Sequence, residues 1–259
     1  MPRSEPPQIL GVLNLSPESM VRESIAVSNP EILERCTMLV QTGADWIDLG
    51  GRSITPDAPM IDDDVEQARL FRALELIRRE DRIEAPVSID TWSAATGIAA
   101  LERRADAVNF TGGALPGALL EAVAANDATL FITFMPYENA YAMRDAPRAP
   151  TGMQAVLDHL GMKVDAARAA GVERLVIDPN LGIIHPTTDD YQKIHQQLAI
   201  VWSLDRLRTL GCPILLYAAR KPERLARIMM ASAILHAGPD YVRTHTPEMI
   251  GRLCQGLSD

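Results

Sequence analysis

Val87-Ser88-Ile89-Asp90-Thr91 is the stretch that decides the fold: an apolar run, entered through Ala85 and Pro86, that ends on the carboxylate of Asp90. A buried parallel strand has this pattern, because both of its faces are covered and only its end meets a polar environment. The stretch therefore predicts a strand that delivers an acid to the carboxyl edge of a parallel sheet.

The same plan recurs along the chain, with an apolar run, a polar residue where the run ends, and Gly or Pro close behind. The other residues in this position are Asn14, Asp48, Asn109, Asp178 and Arg243. With the helical segments between them, the runs predict eight strand-then-helix units of about 32 residues, the size of one βα unit with its connections. Glycines end four of the predicted helices shortly before a strand, at Gly43, Gly171, Gly211 and Gly238.

Eight units without an interruption favour a (β/α)8 TIM barrel, with residues 1–259 as a single domain. The alternative is a doubly wound open sheet. That fold would place a Gly-rich phosphate loop after the first strand, and Asn14-Leu15-Ser16-Pro17 is not such a loop.

Between the strands and helices, three irregular loops and one long helix are expected. The loops cover 15–29, 52–62 and 136–151, and the helix runs from about residue 188 to residue 210. The tryptophans are expected to pack rather than to form a stacking site; they are Trp46, Trp92 and Trp202.

Composition and charge restrict the function. The chain is 47% hydrophobic and 23% charged, as in an ordinary globular protein, and its net charge of −9 argues against a nucleic-acid partner. Three widely spaced cysteines predict neither a zinc site nor a disulfide framework, which indicates a reducing cytoplasm. Residues 1–7 are not expected to be a signal peptide, and no apolar run approaches the roughly 20 residues that span a bilayer, so no membrane partner is expected.

In a (β/α)8 barrel the carboxyl ends of the strands and the loops after them form the active site, so residues far apart in sequence converge there. The candidates combine carboxylates, amides and fixed cations, without a Ser-His-Asp order or a His-rich metal pattern. A flat ligand rich in ring nitrogens suits them, because a carboxylate accepts two hydrogen bonds from an amino-amide edge and Asn both donates and accepts. The candidates are Asn14, Asp48, Asp90, Asn109, Thr133, Asp178, Lys221, Arg243 and His245.

Each candidate also has a purely structural explanation. Asp48 or Asp90 could cap a following helix, and Asp178-Pro179 is a common turn starter. A single lysine such as Lys221 is more often a solvated surface residue. The repetition favours a shared site, because at least six of the eight predicted strands end on a polar residue of hydrogen-bonding type.

Seven motifs, in family order and over nearly the whole chain, resemble those of the dihydropteroate synthases, a family of pterin-binding TIM barrels. They are Gly11-Val12-Leu13-Asn14-Leu15-Ser16-Pro17-Glu18-Ser19, Ile47-Asp48-Leu49-Gly50-Gly51-Arg52-Ser53, Ser88-Ile89-Asp90-Thr91, Asn109 with Gly112-Gly113, Ile177-Asp178-Pro179, Ala219-Arg220-Lys221 and Arg243-Thr244-His245.

The resemblance implies a pocket for a pterin or a reduced folate. In that family the counterparts of Asp90, Asn109, Asp178 and Lys221 hold the pterin ring, and we assign Asp48 to the same pocket. Asp178 would accept from the amino-amide edge, and Lys221 would donate to ring acceptors.

The resemblance also implies a reaction, in which pyrophosphate is displaced from a pterin methylene and the methylene is joined to the amine of p-aminobenzoate. The counterparts of Asn14, Arg243 and His245 hold the pyrophosphate, with Mg²⁺ near the Asn; together with Lys221 they are the expected catalytic residues. A homodimer is implied in the same way.

The loops over the reacting centre depart from the family. After Gly50-Gly51 the family usually has Glu-Ser-Thr-Arg-Pro-Gly, and here Ile54 and Thr55 replace the Thr and Arg that help to hold the anion and the second substrate. Arg52 stands too early in the loop to be an obvious substitute. After Asp178-Pro179, a Gly/Phe-rich loop has become Asn180-Leu181-Gly182-Ile183-Ile184-His185.

Three hypotheses follow from a retained pterin pocket below rewritten loops. The first is a transferase of the dihydropteroate synthase type, with the usual amine or an altered acceptor. The second is an enzyme that uses a reduced folate as a one-carbon donor, an analogy of fold alone. The third is a pterin-binding paralogue without catalysis, against which the retained Arg243 and His245 count modestly.

Overall fold

The computed structural model describes residues 5–19, 21–55, 58–218 and 223–258, and strands and helices alternate along them. The strands are β1 (Gln8–Asn14), β2 (Trp46–Gly50), β3 (Val87–Thr91), β4 (Ala107–Phe110), β5 (Thr129–Thr133), β6 (Leu175–Asp178), β7 (Leu215–Tyr217) and β8 (Tyr241–Thr244). The α-helices are α1 (Asn29–Gln41), α2 (Asp63–Arg79), α3 (Ala94–Glu102), α4 (Gly117–Ala125), α5 (Met153–Ala169), α6 (Asp190–Val201), α7 (Leu204–Arg208), α8 (Arg224–Ala237) and α9 (Pro247–Ser258).

All eight strands lie in one parallel sheet in the order β6-β5-β4-β3-β2-β1-β8-β7. A parallel bridge between Ile177 and Ile214 joins the two ends of this order, and the amide of Ile177 donates to the carbonyl of Pro213 at 2.9 Å. The sheet therefore closes on itself. The predicted (β/α)8 barrel is confirmed, and the open doubly wound sheet is excluded.

The helix boundaries follow from local chemistry that the sequence displays. Ser28 and Glu31 form a reciprocal capping box at the start of α1, and the carboxylate of Asp62 accepts from the amide of Val65 at the start of α2. Gly238 follows α8 in the left-handed region, with φ of 69°, where a side chain would be strained. The other three predicted helix-ending glycines also have positive φ: Gly43, Gly171 and Gly211.

The single long helix predicted from residue 188 to residue 210 is wrong, because α6 ends at Val201 and α7 begins at Leu204. Ser203 has a non-helical backbone, and its amide bonds to the carbonyl of Ile200 in a tighter turn. Ile200 on α6 and Leu204 on α7, one on each side of the break, are both buried. It leaves Trp202 75% exposed, so the expectation that this tryptophan packs is also wrong.

The interior of the barrel is apolar at the amino ends of the strands and polar at their carboxyl ends. Phe131 fills the amino-terminal half, edge-on to Trp46 and Tyr241 with ring centroids 6.0 and 5.5 Å away. Trp46 is partly buried and packs against this layer, which agrees with its expected packing role. Because these side chains fill the amino-terminal end of the barrel, a ligand would bind at the carboxyl-terminal end. Among the helices described above, none has the combination of length and apolar composition that a membrane span requires.

Candidate active site

Strand register explains why the candidate residues meet. Asn14 pairs with Gly50, Gly50 with Asp90, and Asp90 with Asn109, so four neighbouring strands end in one row. Since side chains two residues apart share a face, Asp48 points to the same side as Gly50, one layer deeper. The site is thus built by parallel pairing rather than by any one loop.

Arg243 is the centre of the site. Its Nε donates to Asp48 Oδ2 at 2.6 Å, and its Nη2 donates to Asp90 Oδ2 at 2.7 Å. The guanidinium carbon lies 5.4 Å from the ring centre of Tyr217, the residue opposite Arg243 in the strand register. The third nitrogen, Nη1, has no hydrogen-bond partner among the described residues. Arg243 therefore holds two carboxylates and still has a donor group for a ligand.

Burial and neighbouring charges shift the pKa values of Asp90 and Arg243. Burial raises the pKa of Asp90 to about 7, with Arg243 acting in the opposite direction and Asp48 and Glu66 adding to the rise. Burial by itself lowers the pKa of Arg243, but the attraction of Asp48 and Asp90 outweighs burial and raises that pKa. Arg243 therefore stays positively charged, whereas Asp90 can gain or lose its proton near neutral pH.

Asp178 differs from the other two acids because it forms no ion pair with a described side chain. Its Oδ1 accepts from the amide of Asn180 at 2.7 Å. Burial raises its pKa to about 6, with the Asn180 amide and Arg243 opposing the rise and Asp48 adding to it. Asp178 is 7% exposed, so a ligand that reaches it must supply donors in place of water.

Asn109 contributes an amide to the same wall. Its Nδ2 lies 3.4 Å from Asp48 Oδ2, and since a carboxylate can only accept, the nitrogen side faces Asp48. Its Oδ1 is buried and has no partner among the described residues. Thr111, on the loop after β4, donates to Asp90 Oδ1 at 3.3 Å. An unused buried acceptor is a position where a ligand N–H gains its full hydrogen bond.

Asn14 lies in the same row but has a separate set of partners. Its Nδ2 donates to the hydroxyls of Ser19 and Ser24 at 3.1 and 2.6 Å, which orients the amide and holds the loop after β1. Its Oδ1 then faces the space beside Gly50. A search of the described part of the chain finds no cluster of three or more His, Cys, Asp or Glu residues that could hold a metal ion. Any cation here would depend on Asn14 Oδ1, water and the substrate.

His245 lies next to this centre. Its Nε2 is 3.0 Å from the hydroxyl of Tyr217, and its backbone carbonyl accepts from Arg35 Nη2 at 3.0 Å. Gly182 packs against the Tyr217 ring so closely that a Cβ there would lie 2.6 Å from it. Tyr217 and Thr111 are site residues that the sequence interpretation missed. Tyr217 ends a strand, and the same strand-end rule was sufficient to find it.

Lys221 lies outside the described residues, so its predicted role stays a prediction. The predicted residues that the structure joins directly are Asp48, Asp90, Asn109 and Arg243. Asp178 and Thr133 are register partners on adjacent strands, and Asn14 and His245 border the same carboxyl-terminal end.

The loop after β2 is tied down away from the centre. Arg52 pairs with the buried Glu66 and with Asp63, and its guanidinium carbon lies 4.8 Å from the ring centre of Trp92. This agrees with the expectation that Arg52 does not replace the missing loop arginine. Trp92 also meets Tyr141 edge-on at 4.8 Å, so it packs against other side chains of the protein, as expected.

Arg144, from the turn Ala142–Arg144 in the loop after β5, completes this arrangement. It donates to the carbonyls of Thr55 and Ala58 at 2.7 and 3.2 Å and lies over the ring of Tyr141 at 4.7 Å. The loops after β2, β3 and β5 are thereby joined through a stack of side chains: Arg52, Trp92, Tyr141 and Arg144.

Comparison with known proteins agrees with the geometry. The family profile described as pterin binding enzyme matches residues 10–245. A dihydropteroate synthase from Synechocystis sp. is 28% identical over 262 residues, which covers 95% of this chain and 88% of the relative. The dihydropteroate synthase of Bacillus subtilis is 27% identical over 263 residues, covering 95% and 86%.

Solved structures match over the full length. The dihydropteroate synthase of Yersinia pestis, in a sulfonamide complex, superposes with a TM-score of 0.81 at 20% identity and covers 100% of this chain and 97% of that one, which shows the shared fold. The enzyme of Thermus thermophilus in complex with 4-aminobenzoate has a TM-score of 0.77 at 25% identity, covering 98% and 93%. Dihydropteroate synthases are among its homologues, and this chain belongs to the pterin-binding enzyme family.

Proposed function

We propose that this protein is a pterin-dependent transferase of the dihydropteroate synthase type, which joins a pterin methylene to an amine with loss of pyrophosphate. The observation that carries the proposal is Asp178, a buried carboxylate with one backbone donor and no ion pair to a described residue. The amino-amide edge of a pterin offers two parallel N–H groups, which match the two oxygens of such a carboxylate. Homologues with bound pteroic acid (Coxiella burnetii) and 6-hydroxymethylpterin-monophosphate (Anaplasma phagocytophilum) support this choice of ligand.

In the proposed reaction the bond between the pterin methylene carbon and the pyrophosphate oxygen breaks, and a bond from that carbon to the amine nitrogen forms. The amine loses one proton, and the pyrophosphate leaves with the electron pair of the broken bond. Arg243 Nη1 and His245 are the groups assigned to the departing anion. Lys221, outside the described residues, is assigned to the pterin ring by the family resemblance alone.

Mg²⁺ is a further part of the proposal, with one protein ligand. The serine donors on Asn14 Nδ2 leave Asn14 Oδ1 to face the site, which suits a cation that keeps most of its waters and binds substrate phosphates. Such an ion would neutralise phosphate charge.

A reduced-folate-dependent one-carbon transferase is the second candidate, and the loop after β2 favours it. The residues that would hold an anion there are replaced, and Arg52 is committed to Glu66 and Asp63. In this case Arg243 and His245 would face a carboxylate of the acceptor instead of pyrophosphate.

We further propose a cytoplasmic homodimer. Leu225, 67% exposed, and Met229, 64% exposed, lie one turn apart on one exposed face of α8, and Tyr191 is 89% exposed on the neighbouring α6. Faces of this kind commonly mark an interface between proteins. None of the three cysteines is in a disulfide bond, as expected in a reducing compartment.

The test measures binding and turnover separately. The protein is incubated with 6-hydroxymethyl-7,8-dihydropterin pyrophosphate, 4-aminobenzoate and Mg²⁺, and pyrophosphate release is followed. The affinity for 6-hydroxymethylpterin is measured by fluorescence for the wild type and for Asp178→Ala. We expect pyrophosphate release by the wild type and loss of pterin binding in the variant.

The other outcomes have distinct meanings. No pyrophosphate release, with tight binding of methylene- or methyl-tetrahydrofolate, would favour the one-carbon transferase. Pterin binding without turnover of either donor indicates a paralogue that has lost catalysis. Unchanged pterin affinity in Asp178→Ala would contradict the assigned pocket.

A further inference from the structure

We propose that Thr133, at the carboxyl end of β5, is a specificity-determining residue of the site, whose hydroxyl donates to the ring acceptor that flanks the amino-amide edge of the pterin. This inference rests on the proposed function, because it names a further contact between this chain and the pterin ring. The class of ligand that the contact selects is a flat ring with an amino group, an adjacent ring N–H and a hydrogen-bond acceptor next to them.

The position of Thr133 follows from strand register. Thr133 pairs with Asp178 on β6, and neighbouring strands lie about 4.8 Å apart. Phe131 and Val176, two residues earlier on the same strands, belong to one cluster in the interior of the barrel. Since side chains two residues apart share a face, Thr133 and Asp178 also face the interior. The hydroxyl therefore lies beside the carboxylate that is assigned to the pterin edge.

The Thr133 hydroxyl is buried and has no hydrogen-bond partner among the described residues, and the residue is 1% exposed. A buried polar group without a partner costs stability, so each such group in a folded protein requires an explanation. Ser88 Oγ and Asn109 Oδ1 share this property on the interior faces of β3 and β4. Ser88 pairs with Asp48, one layer deeper than Asp90, so we assign only Asn109 and Thr133 to the ligand.

Threonines at the ends of the two preceding strands have partners inside the protein. Thr91 donates to Glu66 Oε2 at 3.0 Å, and Thr111 donates to Asp90 Oδ1 at 3.3 Å. The purely structural explanation of Thr133 is that threonine is a good strand residue. Valine has the same advantage without the cost of a buried hydroxyl, so this explanation does not account for the hydroxyl.

The backbone at Thr133 is held in place from outside the barrel. Lys163 Nζ donates to the carbonyls of Thr133 and Gly112 at 2.9 and 2.8 Å. The amide of Phe134 donates to the carbonyl of Asp178 at 2.8 Å. The side chain of threonine is itself stiff, because it branches at Cβ. The hydroxyl and the carboxylate are thus positioned before the ligand binds, which reduces the entropy that binding costs.

The pterin edge supplies an acceptor for this hydroxyl in either orientation of the ring. Asp178 would accept from the amino group and from the adjacent ring N–H, as proposed above. On the pterin these two donors are flanked by the ring carbonyl on one side and by a ring nitrogen on the other, and both of these atoms accept hydrogen bonds. The pocket would therefore contain the donor of Thr133 and the acceptor of Asn109 Oδ1 besides the carboxylate.

The experiment separates the hydroxyl of Thr133 from its shape. Affinity for 6-hydroxymethylpterin is measured by fluorescence at pH 8 for the wild type, for Thr133→Val, which keeps the shape, and for Thr133→Ser, which keeps the hydroxyl. The matched control is Thr129→Val, on the same face of β5 at the amino end of the barrel. We expect Thr133→Val to bind about tenfold more weakly, because one hydrogen bond is lost, and the other two variants to bind like the wild type.

Thermal unfolding without ligand gives a second readout. Thr133→Val removes a buried hydroxyl that has no partner in the described part of the chain, so its unfolding midpoint should exceed that of the wild type by about 2–4 °C. A hydroxyl that served the fold would have the opposite effect, because its loss would leave a partner without a hydrogen bond. A ligand contact therefore predicts lower affinity together with higher stability.

The proposal is overturned if Thr133→Val binds 6-hydroxymethylpterin like the wild type, or if Thr133→Ser loses as much affinity as Thr133→Val. It is equally overturned if Thr133→Val unfolds at a lower temperature than the wild type. Failure of the proposed function has a different signature, because the wild type itself would then not bind 6-hydroxymethylpterin. Failure of this inference alone leaves wild-type binding and its dependence on Asp178 intact.

Discussion

Gly50 keeps open the space between two groups of the site. A Cβ at this position would lie 3.4 Å from Asn14 Oδ1 and 4.0 Å from Asp90 Oδ2, which is ordinary contact and not a clash. We expect Gly50→Ala to fold normally but to bind pterin pyrophosphate about tenfold more weakly, because the methyl group occupies ligand space. Fluorescence titration measures the affinity, and thermal unfolding measures the stability.

Gly113→Ala is the matched control for this substitution. Its Cβ would lie 1.9 Å from the carbonyl oxygen of Tyr137, so the loops after β4 and β5 would have to separate. We expect this variant to lose stability, in contrast to Gly50→Ala. If Gly50→Ala bound the ligand like the wild type, the space beside Gly50 would not be part of the site.

The charge of Asp178 makes pterin binding depend on pH. Burial raises its pKa to about 6, and the ligand requires the ionised form. Above pH 7 Asp178 is ionised before the ligand arrives, whereas below pH 6 a proton must leave first, so affinity should fall by up to about tenfold per pH unit. Titrations between pH 5 and 8 measure this slope, to which Asp90 adds because its pKa is also raised.

Asp178→Asn separates the contributions of Asp178 and Asp90 to the pH dependence of pterin affinity. This variant should bind more weakly at pH 8 and retain only the part of the pH slope that belongs to Asp90. A wild-type affinity that stays constant from pH 5 to pH 8 would contradict an ionised Asp178 as the pterin acceptor.

At the scale of helices and strands, the sequence was sufficient to predict boundaries that depend on the residues at the boundary itself. Apolar runs with polar ends located the strands, and Gly238 marked the end of α8. The break at Ser203 was missed because the apolar periodicity continues across it and neither Gly nor Pro marks it in the sequence. Thr111 was missed for a related reason: it lies in the loop after β4, where no periodicity reports which way a side chain points.

The loop after β2 offers a test of packing between elements. Arg144 donates to the carbonyls of Thr55 and Ala58, so Arg144→Met removes two hydrogen bonds from a charged donor. We expect local protection around Ala58 and Ile61 to drop by about 1–3 kcal/mol, as measured by hydrogen exchange of their amides. Arg79→Met, at an exposed arginine paired with Glu75, serves as the control and should leave that exchange unchanged. Equal exchange rates in Arg144→Met and the wild type would mean that Arg144 does not hold the loop.

At the scale of the whole molecule, the barrel and the place of the site were predictable because parallel pairing brings strand ends together whatever the loops contain. The detailed pairing was not predictable. The sequence assigned Arg243 to a departing anion, whereas in the structure Arg243 also holds Asp48 and Asp90. Three charges at the ends of three strands can pair in several ways, and barrel closure decides which of them are within reach.

The fold also buries Lys163 of α5, which bridges the loop after β4 and the end of β5. Its Nζ donates to the carbonyls of Gly112 and Thr133 at 2.8 and 2.9 Å, and burial lowers its pKa to about 7. The unfolded chain has an ordinary lysine with a pKa near 10.4, so between pH 7 and pH 10 the unfolded state binds more protons than the folded one. Stability supplied by this group therefore rises with pH across that window, by up to about 1.4 kcal/mol per pH unit.

Lys163→Met removes this titration. The other titrating groups are the same in both proteins, so their contributions cancel in the difference in unfolding free energy between variant and wild type. We expect that difference to favour Lys163→Met most at pH 6.5 and to shift steadily toward the wild type as the pH rises to 9, in urea unfolding at each pH. Lys193→Met, at a lysine on the surface of α6 paired with Asp190, should show a difference that barely changes with pH. A constant difference for Lys163→Met as well would mean that Lys163 keeps its proton in the folded barrel, with the two strand-end carbonyls stabilising its charge against burial.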